Sequence, residues 1–227
     1  MLNVLNLLFP LPLKCGFCDR REYKNGMCKQ CMKEIEEIKG NICERCGRPL
    51  ETMSICVDCH RRKDTYFVCN RSAVRYNEKM KSMISLYKYR GQEKLVLSFA
   101  RLLEQAYRKY YNHISFDCLT YVPIHEQRLK ERGFNQAQQM AFYLSLRIKI
   151  PVKRLLIRTR YADKQSKKQR QDRINALTNS FELHPYQAPL KRVLLIDDIY
   201  TTGSTVNECA KILVNEGIQV YSLTVGR

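Results

Sequence analysis

Hydrophobic and polar positions follow two different periods along the chain after residue 62. Apolar residues recur at helical spacing, and short runs rich in β-branched and aromatic residues indicate strands between the helices. The predicted helices span residues 77–89, 93–110, 135–146 and 205–215, and the predicted strands span 66–76 (a strand or a hairpin), 116–122, 152–157, 193–196 and 220–225. This alternation predicts an α/β fold with a mainly parallel sheet covered on both faces.

The N-terminal region follows neither period and is organised by cysteines instead. Eight of the 11 cysteines form four CxxC pairs, and the block CxxC-x9-CxxC occurs twice at an offset of 28 residues. Thiols at this spacing are typical zinc ligands, because each pair supplies two corners of a tetrahedron. We therefore predict two structural Zn²⁺ ions, preferably one in each block; sites that draw on both blocks are the alternative. The predicted ligands are Cys15, Cys18, Cys28 and Cys31, and Cys43, Cys46, Cys56 and Cys59.

The cysteine segment is too short and too polar to own an independent core, so metal binding should supply most of its folding free energy. We predict a zinc-binding domain over residues 1–62 and a second domain over residues 63–227. No apolar run reaches 18 residues, which predicts no membrane span. The apolar N-terminus has no preceding basic residue and no small-residue cleavage site, so we expect a cytoplasmic protein.

The chain is strongly basic, with 40 Lys and Arg against 22 Asp and Glu and a net charge of +18. Such a surplus favours a phosphate-bearing partner, although solubility alone is the alternative. Residues 61–94 combine basic side chains with aromatic rings, which predicts binding of single-stranded DNA without sequence preference. The alternative is that these rings belong to the core. They are Tyr66, Phe67, Tyr76, Tyr87 and Tyr89.

The stretch over residues 192–205, RVLLIDDIYTTGST, carries the most specific chemistry. An apolar strand ends in Asp197 and Asp198, whose carboxylates would accept hydrogen bonds from the vicinal hydroxyls of a ribose, directly or through Mg²⁺. A helix start then offers amides and its dipole to a phosphate, and Gly203 lets the backbone approach closely. Further donors are the hydroxyls of Thr201, Thr202, Ser204 and Thr205. Together these features predict a site for a phosphorylated ribose.

Residues 193–205 resemble the phosphoribosyl-pyrophosphate (PRPP) signature of type I phosphoribosyltransferases. A second stretch over residues 128–136, RLKERGFNQ, resembles the RxxxRGFNQ signature of the ComF family. The resemblance implies a type I phosphoribosyltransferase-like domain behind an N-terminal double zinc-ribbon-like domain, and a role in DNA uptake during natural competence. Asp197 and Asp198 would then be the catalytic acidic pair of a site that binds PRPP with Mg²⁺.

The resemblance also implies roles for the basic residues. Residues 123–128 would form a loop on the pyrophosphate, with Arg128 and Arg132 neutralising its charge, although two solvated arginines on a helix face are the alternative. Residues 159–173 would form a mobile flap over the site. Other competence proteins, such as a DNA-uptake helicase, are the implied protein partners.

One position departs from the pattern of the purine-salvage enzymes, because Thr201 stands where an acidic residue that acts on the base is expected. The sequence also offers no recognisable base-binding hood. Three functions therefore stay open: a competence protein that binds PRPP and single-stranded DNA, an active phosphoribosyltransferase of nucleotide salvage, and a PRPP-sensing adaptor that docks other competence proteins through its zinc module.

Overall fold

The computed structural model describes residues 14–18, 20–21, 27–51, 54–89, 92–161 and 180–227. Its helices are α1 (Lys29–Lys33), α2 (Val57–His60), α3 (Glu78–Tyr89), α4 (Leu95–Tyr110), α5 (Glu126–Arg132), α6 (Gln136–Ile148) and α7 (Ser204–Asn215). Its strands are β1 (Asn41–Ile42), β2 (Pro49–Leu50), β3 (Asn70–Val74), β4 (Cys118–Tyr121), β5 (Leu156–Arg158), β6 (Phe181–Leu183), β7 (Arg192–Ile199) and β8 (Gln219–Gly226). In this described part of the chain, no helix is both long enough and apolar enough to cross a membrane.

The central sheet has four strands in the order β3-β8-β7-β4, and every neighbouring pair is parallel. The interior strands β7 and β8 are buried almost throughout, as expected for strands with helices on both faces. The predicted α/β class with a mainly parallel sheet is therefore confirmed. Strand β7 is longer than predicted and includes Asp197 and Asp198 in its carboxyl end.

Alternate residues of β7 divide the core into two layers, because successive side chains of a strand face opposite sides of the sheet. Leu194 and Ile196 pack in one layer with residues of α3, α4 and α6. Val193 and Leu195 pack in the other layer with residues of α7 and of the β5–β6 hairpin. We call these layers the α4 face and the α7 face.

Most predicted helices lie where the periodicity puts them. Helix α3 begins after Asn77, whose Oδ1 accepts a hydrogen bond from the backbone N–H of Met80 over 2.9 Å, although Gly91, its predicted terminator, lies outside the described residues. The strand predicted over 152–157 is wrong in its start, because Val152 makes only an isolated bridge and β5 begins at Leu156. Residues 66–76 contain the single edge strand β3 and no hairpin.

The two cysteine blocks dock on different parts of this frame, and we call them the first ribbon (residues 14–38) and the second ribbon (residues 41–60). The first ribbon includes α1 and bridges the end of β3 through Glu37 and Val74. The second ribbon includes the antiparallel pair β1–β2 and meets the start of β3, where Asn70 donates its backbone N–H to the carbonyl of Arg45 over 2.7 Å. A Cβ at Gly47 would lie 2.9 Å from the Asn70 carbonyl, so this close approach requires glycine.

Candidate ligand cleft and metal sites

The eight predicted zinc ligands form two separate clusters. Within each cluster the four Sγ atoms lie within 4.8 Å of one another, and each cluster comes from one sequence block, so the preferred local arrangement is the one observed. The Sγ atoms of Cys18 and Cys28 are 3.6 Å apart, as are those of Cys46 and Cys56. A tetrahedron with Zn–S bonds of about 2.3 Å has sulfur–sulfur edges of about 3.8 Å. The geometry fits one structural Zn²⁺ in each cluster.

Backbone amides favour the thiolate form of one sulfur in each cluster. The N–H of Cys31 donates to Sγ of Cys28 over 3.4 Å, and the N–H of Cys56 donates to Sγ of Cys43 over 3.3 Å. Burial raises the pKa of Cys43, but backbone N–H groups, that of Cys46 foremost, outweigh burial and bring this pKa to about 6. Zinc binds the thiolate form, so the donor set suits the metal chemically as well as geometrically.

A cation-lined cleft opens beside the carboxyl end of β4. Two cavities of about 250 Å³ and about 180 Å³ share the residues Lys88, Tyr89, Arg128 and Arg132 in their walls. Arg158 adds a fourth cation to the wall of the smaller cavity. The wall of the smaller cavity has three arginines beside Lys88 and suits a diphosphate, which is the ligand chemistry that the sequence predicts at this edge of the sheet. The larger cavity is also lined by Glu93 and Glu131.

The RGFNQ stretch builds one wall of this cleft. Gly133 ends α5 in the left-handed conformation with φ 83°, and Asn135 starts α6 by accepting hydrogen bonds from two backbone N–H groups. The side-chain amide of Asn135 also donates to the Val122 carbonyl over 3.1 Å, which ties α6 to the loop after β4. Phe134 packs 5.2 Å from the ring of Tyr87. These residues are mainly structural, and they fix the helix that presents the two arginines.

Arg128 and Arg132 lie one turn apart on α5, so the prediction of a loop over residues 123–128 is wrong beyond His125. A helix forms there because His125 accepts the N–H of Gln127 at its start and Gly133 ends it. Both arginines nevertheless line the cleft. Arg132 donates to the side-chain oxygen of Gln136 and lies over the ring of Tyr89 at 5.0 Å. The predicted flap over 159–173 falls largely outside the described residues.

The predicted acidic pair ends β7 and is almost fully buried, with Asp197 7% and Asp198 5% exposed. The N–H of Asp198 donates to Oδ1 of Asp197 over 2.8 Å. By strand alternation, Asp198 belongs to the α4 face and Asp197 to the α7 face. Asp198 forms an ion pair with Lys88, which is itself mostly buried and projects from the last turn of α3.

Burial and the charge of Asp198 together raise the pKa of Asp197 far above the ordinary value of a carboxyl group. Burial alone would lower the pKa of Lys88, but the ion pair with Asp198 outweighs it and raises this pKa. Lys88 therefore keeps its charge and neutralises Asp198. The raised pKa of Asp197 favours its protonated form, and a cation bound beside it would favour its ionisation.

The predicted phosphate loop, residues 201–205, follows the acidic pair and begins α7. Gly203 adopts a left-handed φ of 76°, and a Cβ there would lie 2.0 Å from the hydroxyl of Tyr200 beneath it. Oγ1 of Thr202 and Oγ of Ser204 are 2.9 Å apart. Thr201 is exposed, while Thr202, Ser204 and Thr205 are partly exposed, so their hydroxyls remain within reach of a ligand.

The alternative for the aromatic residues in 61–94, that they belong to the core, holds fully for Phe67 and Tyr87, which are buried. Tyr66 and Tyr76 are partly buried and also pack against the core. Tyr89 is 53% exposed and lies in the wall of the cleft. Two residues of the cleft were not predicted as site residues. They are Lys88, which the local pattern does not distinguish from a solvated lysine, and Arg158, whose only signal is its basic surroundings in the sequence.

Comparison with known proteins agrees with the geometry. Residues 4–60 match the double zinc ribbon domain family, which confirms the predicted N-terminal ribbons. Competence protein ComFC of Bacillus subtilis is 33% identical over 84% of this chain and 79% of that protein. Competence protein F of Haemophilus influenzae is 31% identical over 88% of this chain and 90% of that protein. The structure of adenine phosphoribosyltransferase of Leishmania tarentolae is 16% identical over 62% of this chain and 60% of that chain, with a TM-score of 0.37.

Proposed function

This chain belongs to the ComF family of competence proteins, and we propose that it acts in DNA uptake by binding PRPP with Mg²⁺. The observation that carries the proposal is the junction at the end of β7. There, two buried carboxylates are followed within three residues by a hydroxyl-rich loop that starts a helix. Lys88, which lines the cleft, forms an ion pair with Asp198 and so connects the carboxylates to the cleft. Phosphate, ribose and diphosphate groups each meet a suitable surface at one sheet edge.

In the proposed complex, residues 201–205 hold the 5′-phosphate, because helix-start amides and hydroxyls donate to it. Asp197 and Asp198 accept hydrogen bonds from the ribose hydroxyls, directly or through the Mg²⁺ that accompanies PRPP. Arg128 and Arg132 bind the pyrophosphate, for which paired guanidinium groups are suited. Mg²⁺ neutralises part of the ligand's charge, and Lys88 balances Asp198 when the ligand is absent.

Calorimetric titration of PRPP with and without Mg²⁺ tests this proposal. We expect binding that requires Mg²⁺ and is lost in the Asp197→Asn/Asp198→Asn variant, which keeps the shape of both side chains. Glu216→Gln is the matched control, because it removes an exposed carboxylate just beyond the far end of α7. Unchanged PRPP binding by the folded double variant would contradict the proposed site.

Turnover is a separate question, and pyrophosphate release against a panel of bases and DNA decides it. Release would support an active phosphoribosyltransferase, whereas binding without release would support a PRPP sensor. Thr201 at the position of the expected base-handling carboxylate favours the sensor.

We further propose single-stranded DNA and other competence proteins as partners, and a domain boundary at residue 62. The thiolate clusters suit a reducing compartment, so we propose the cytoplasm as its location.

A further inference from the structure

The second ribbon reaches the proposed phosphate loop through Arg62, two residues after α2. Nη2 of Arg62 donates a hydrogen bond to the backbone carbonyl of Thr202, and the two residues are 140 positions apart in sequence. This bond fixes the peptide unit that precedes Gly203. Since a loop binds phosphate through the orientation of its amides, a residue that holds one of its carbonyls also sets where the next amide points.

A second connection runs through Arg227. Its Nη2 lies 3.0 Å from Sγ of Cys46, a predicted zinc ligand of the second ribbon. Its guanidinium lies 4.5 Å from the centre of the Tyr200 ring. A Cβ at Gly203 would lie 2.0 Å from the hydroxyl of Tyr200, so this ring leaves no room for a side chain at Gly203. Sulfur, guanidinium, ring and glycine thus form one continuous stack from the metal cluster to the loop.

The stability of this stack should depend on the metal, because the zinc–thiolate cluster is negatively charged and Arg227 is positively charged. Four thiolates around one Zn²⁺ carry a net charge of −2, and a buried cation needs a nearby anion. Among the residues that the structure describes, Nη1 of Arg62 and both Nε and Nη1 of Arg227 are buried without a hydrogen-bond partner. The loaded cluster would supply a negative charge beside the guanidinium group of Arg227, whose Nη2 contacts Cys46.

The first ribbon makes its connections elsewhere. Glu36 accepts the backbone N–H of Arg75 over 2.8 Å at its carbonyl and the side-chain amide of Asn77 over 2.7 Å at its carboxylate. Glu34 pairs with Lys79 in the first turn of α3. These bonds hold the end of β3 and the start of α3 rather than the loop before α7.

We propose that the second ribbon, with Arg62 and Arg227 as positioning residues, holds the phosphate loop in its binding conformation. Zinc in the second ribbon and phosphate in the loop are then bound cooperatively, and binding of either strengthens binding of the other. The identity of the ligand rests on the proposed function, but the support of the loop does not.

Two fragments of PRPP, ribose 5-phosphate and pyrophosphate, test the two ends of the proposed site separately. In Arg62→Met we expect ribose 5-phosphate to bind about tenfold or more weakly, since a charged hydrogen bond is lost. Pyrophosphate should bind as in the parent, because Arg128 and Arg132 are untouched. Arg62→Lys should restore part of the affinity for ribose 5-phosphate. Lys79→Met, which removes an ion pair of the first ribbon, is the control and should change neither ligand.

Amide hydrogen exchange over residues 201–205 gives a readout that needs no ligand. Exchange should be faster in Arg62→Met than in the parent and unchanged in Lys79→Met, with circular dichroism showing that both variants fold. Parent-like exchange in Arg62→Met would overturn the proposal, as would parent-like binding of ribose 5-phosphate. A parent protein that binds neither fragment would refute the proposed function, and the exchange rates would still decide whether the ribbon holds the loop.

Discussion

The two zinc ribbons share one ligand spacing but belong to opposite faces of the same sheet. The cysteines of the first ribbon pack with Met83 and Leu103 on the α4 face. Those of the second ribbon pack with Tyr200 and Val206 on the α7 face. A repeat that looks symmetrical along the chain therefore contributes to two different cores, and neither ribbon forms a core of its own.

The difference between the ribbons lies in the residues around the cysteines. Acidic residues of the first ribbon meet Lys79 and Asn77 at the start of α3, the helix whose last turn carries Lys88. The segment after the second ribbon carries Arg62, which donates a hydrogen bond to Thr202 in the proposed phosphate loop. The ligand set makes a ribbon fold, and its flanking side chains decide which element it supports: the start of α3 for the first ribbon and residues 201–205 for the second.

Loss of one ligand in either ribbon should have the largest effect. Cys31→Ser and Cys59→Ser should each reduce bound zinc from two ions to one per chain, and the affected ribbon should unfold locally, since zinc contributes about 10 kcal/mol or more to such folds. Elemental analysis and hydrogen exchange measure both effects. We expect faster exchange to spread to α3 in Cys31→Ser and to residues 201–205 in Cys59→Ser. The same spread in both variants would contradict the difference drawn between the ribbons.

The two carboxylates of the acidic pair belong to different faces of the sheet, and their replacement should change the stability of the protein differently. Asp198→Ala leaves Lys88 buried without its partner, which should lower the free energy of unfolding by about 3 to 5 kcal/mol. Adding Lys88→Met should recover most of that loss, because no buried charge remains. Urea unfolding of the single and double variants checks this, and equal stability of the Asp198→Ala and Lys88→Met/Asp198→Ala proteins would argue against the ion pair.

Replacing Asp197 should raise the free energy of unfolding, whereas replacing Asp198 should lower it. The pKa of Asp197 is raised in the folded protein, so its contribution to stability is fully present below the ordinary carboxyl pKa and is lost as the pH rises through the folded value. Without ligand or Mg²⁺, Asp197→Asn should therefore gain stability relative to the parent between pH 5 and pH 8, by more than the roughly 1.4 kcal/mol of one pKa unit. A difference that stays constant with pH would show that Asp197 is already ionised.

The smallest expected effect concerns DNA. Affinity for single-stranded DNA should fall steeply with salt, because phosphate contacts release counterions. Arg61→Gln/Lys63→Gln, beside the second ribbon, should reduce the slope of log K against log salt by about 1 for each cation that contacts a phosphate. Lys29→Gln/Lys33→Gln on α1 is the matched pair on the first ribbon, and all four side chains are exposed. Equal slopes in parent and both variants would place the DNA elsewhere.

Local features of this molecule could be predicted, and contacts between distant segments could not. The cysteine spacing predicted both metal clusters, and the apolar period predicted α4 and α7, because neighbours along the chain determine these features. The pairing of Lys88 with Asp198 joins residues 110 positions apart. Nothing in the local pattern distinguishes Lys88 from a solvated lysine, nor Arg62 from a basic linker residue. Arg128 was expected in a loop because the family resemblance implied one, and its short helix has no apolar period that would have indicated the helix.

Release of zinc to a chelating dye, with and without PRPP and Mg²⁺, tests most directly whether only one ribbon is linked to the cleft. The Cys31→Ser variant reports the second ribbon, and Cys59→Ser reports the first. Linkage predicts that, at equilibrium with the dye, PRPP with Mg²⁺ lowers the fraction of zinc removed from the second ribbon and leaves the fraction removed from the first unchanged. Equal protection in both variants, or protection in neither by a protein that binds PRPP, would contradict the account.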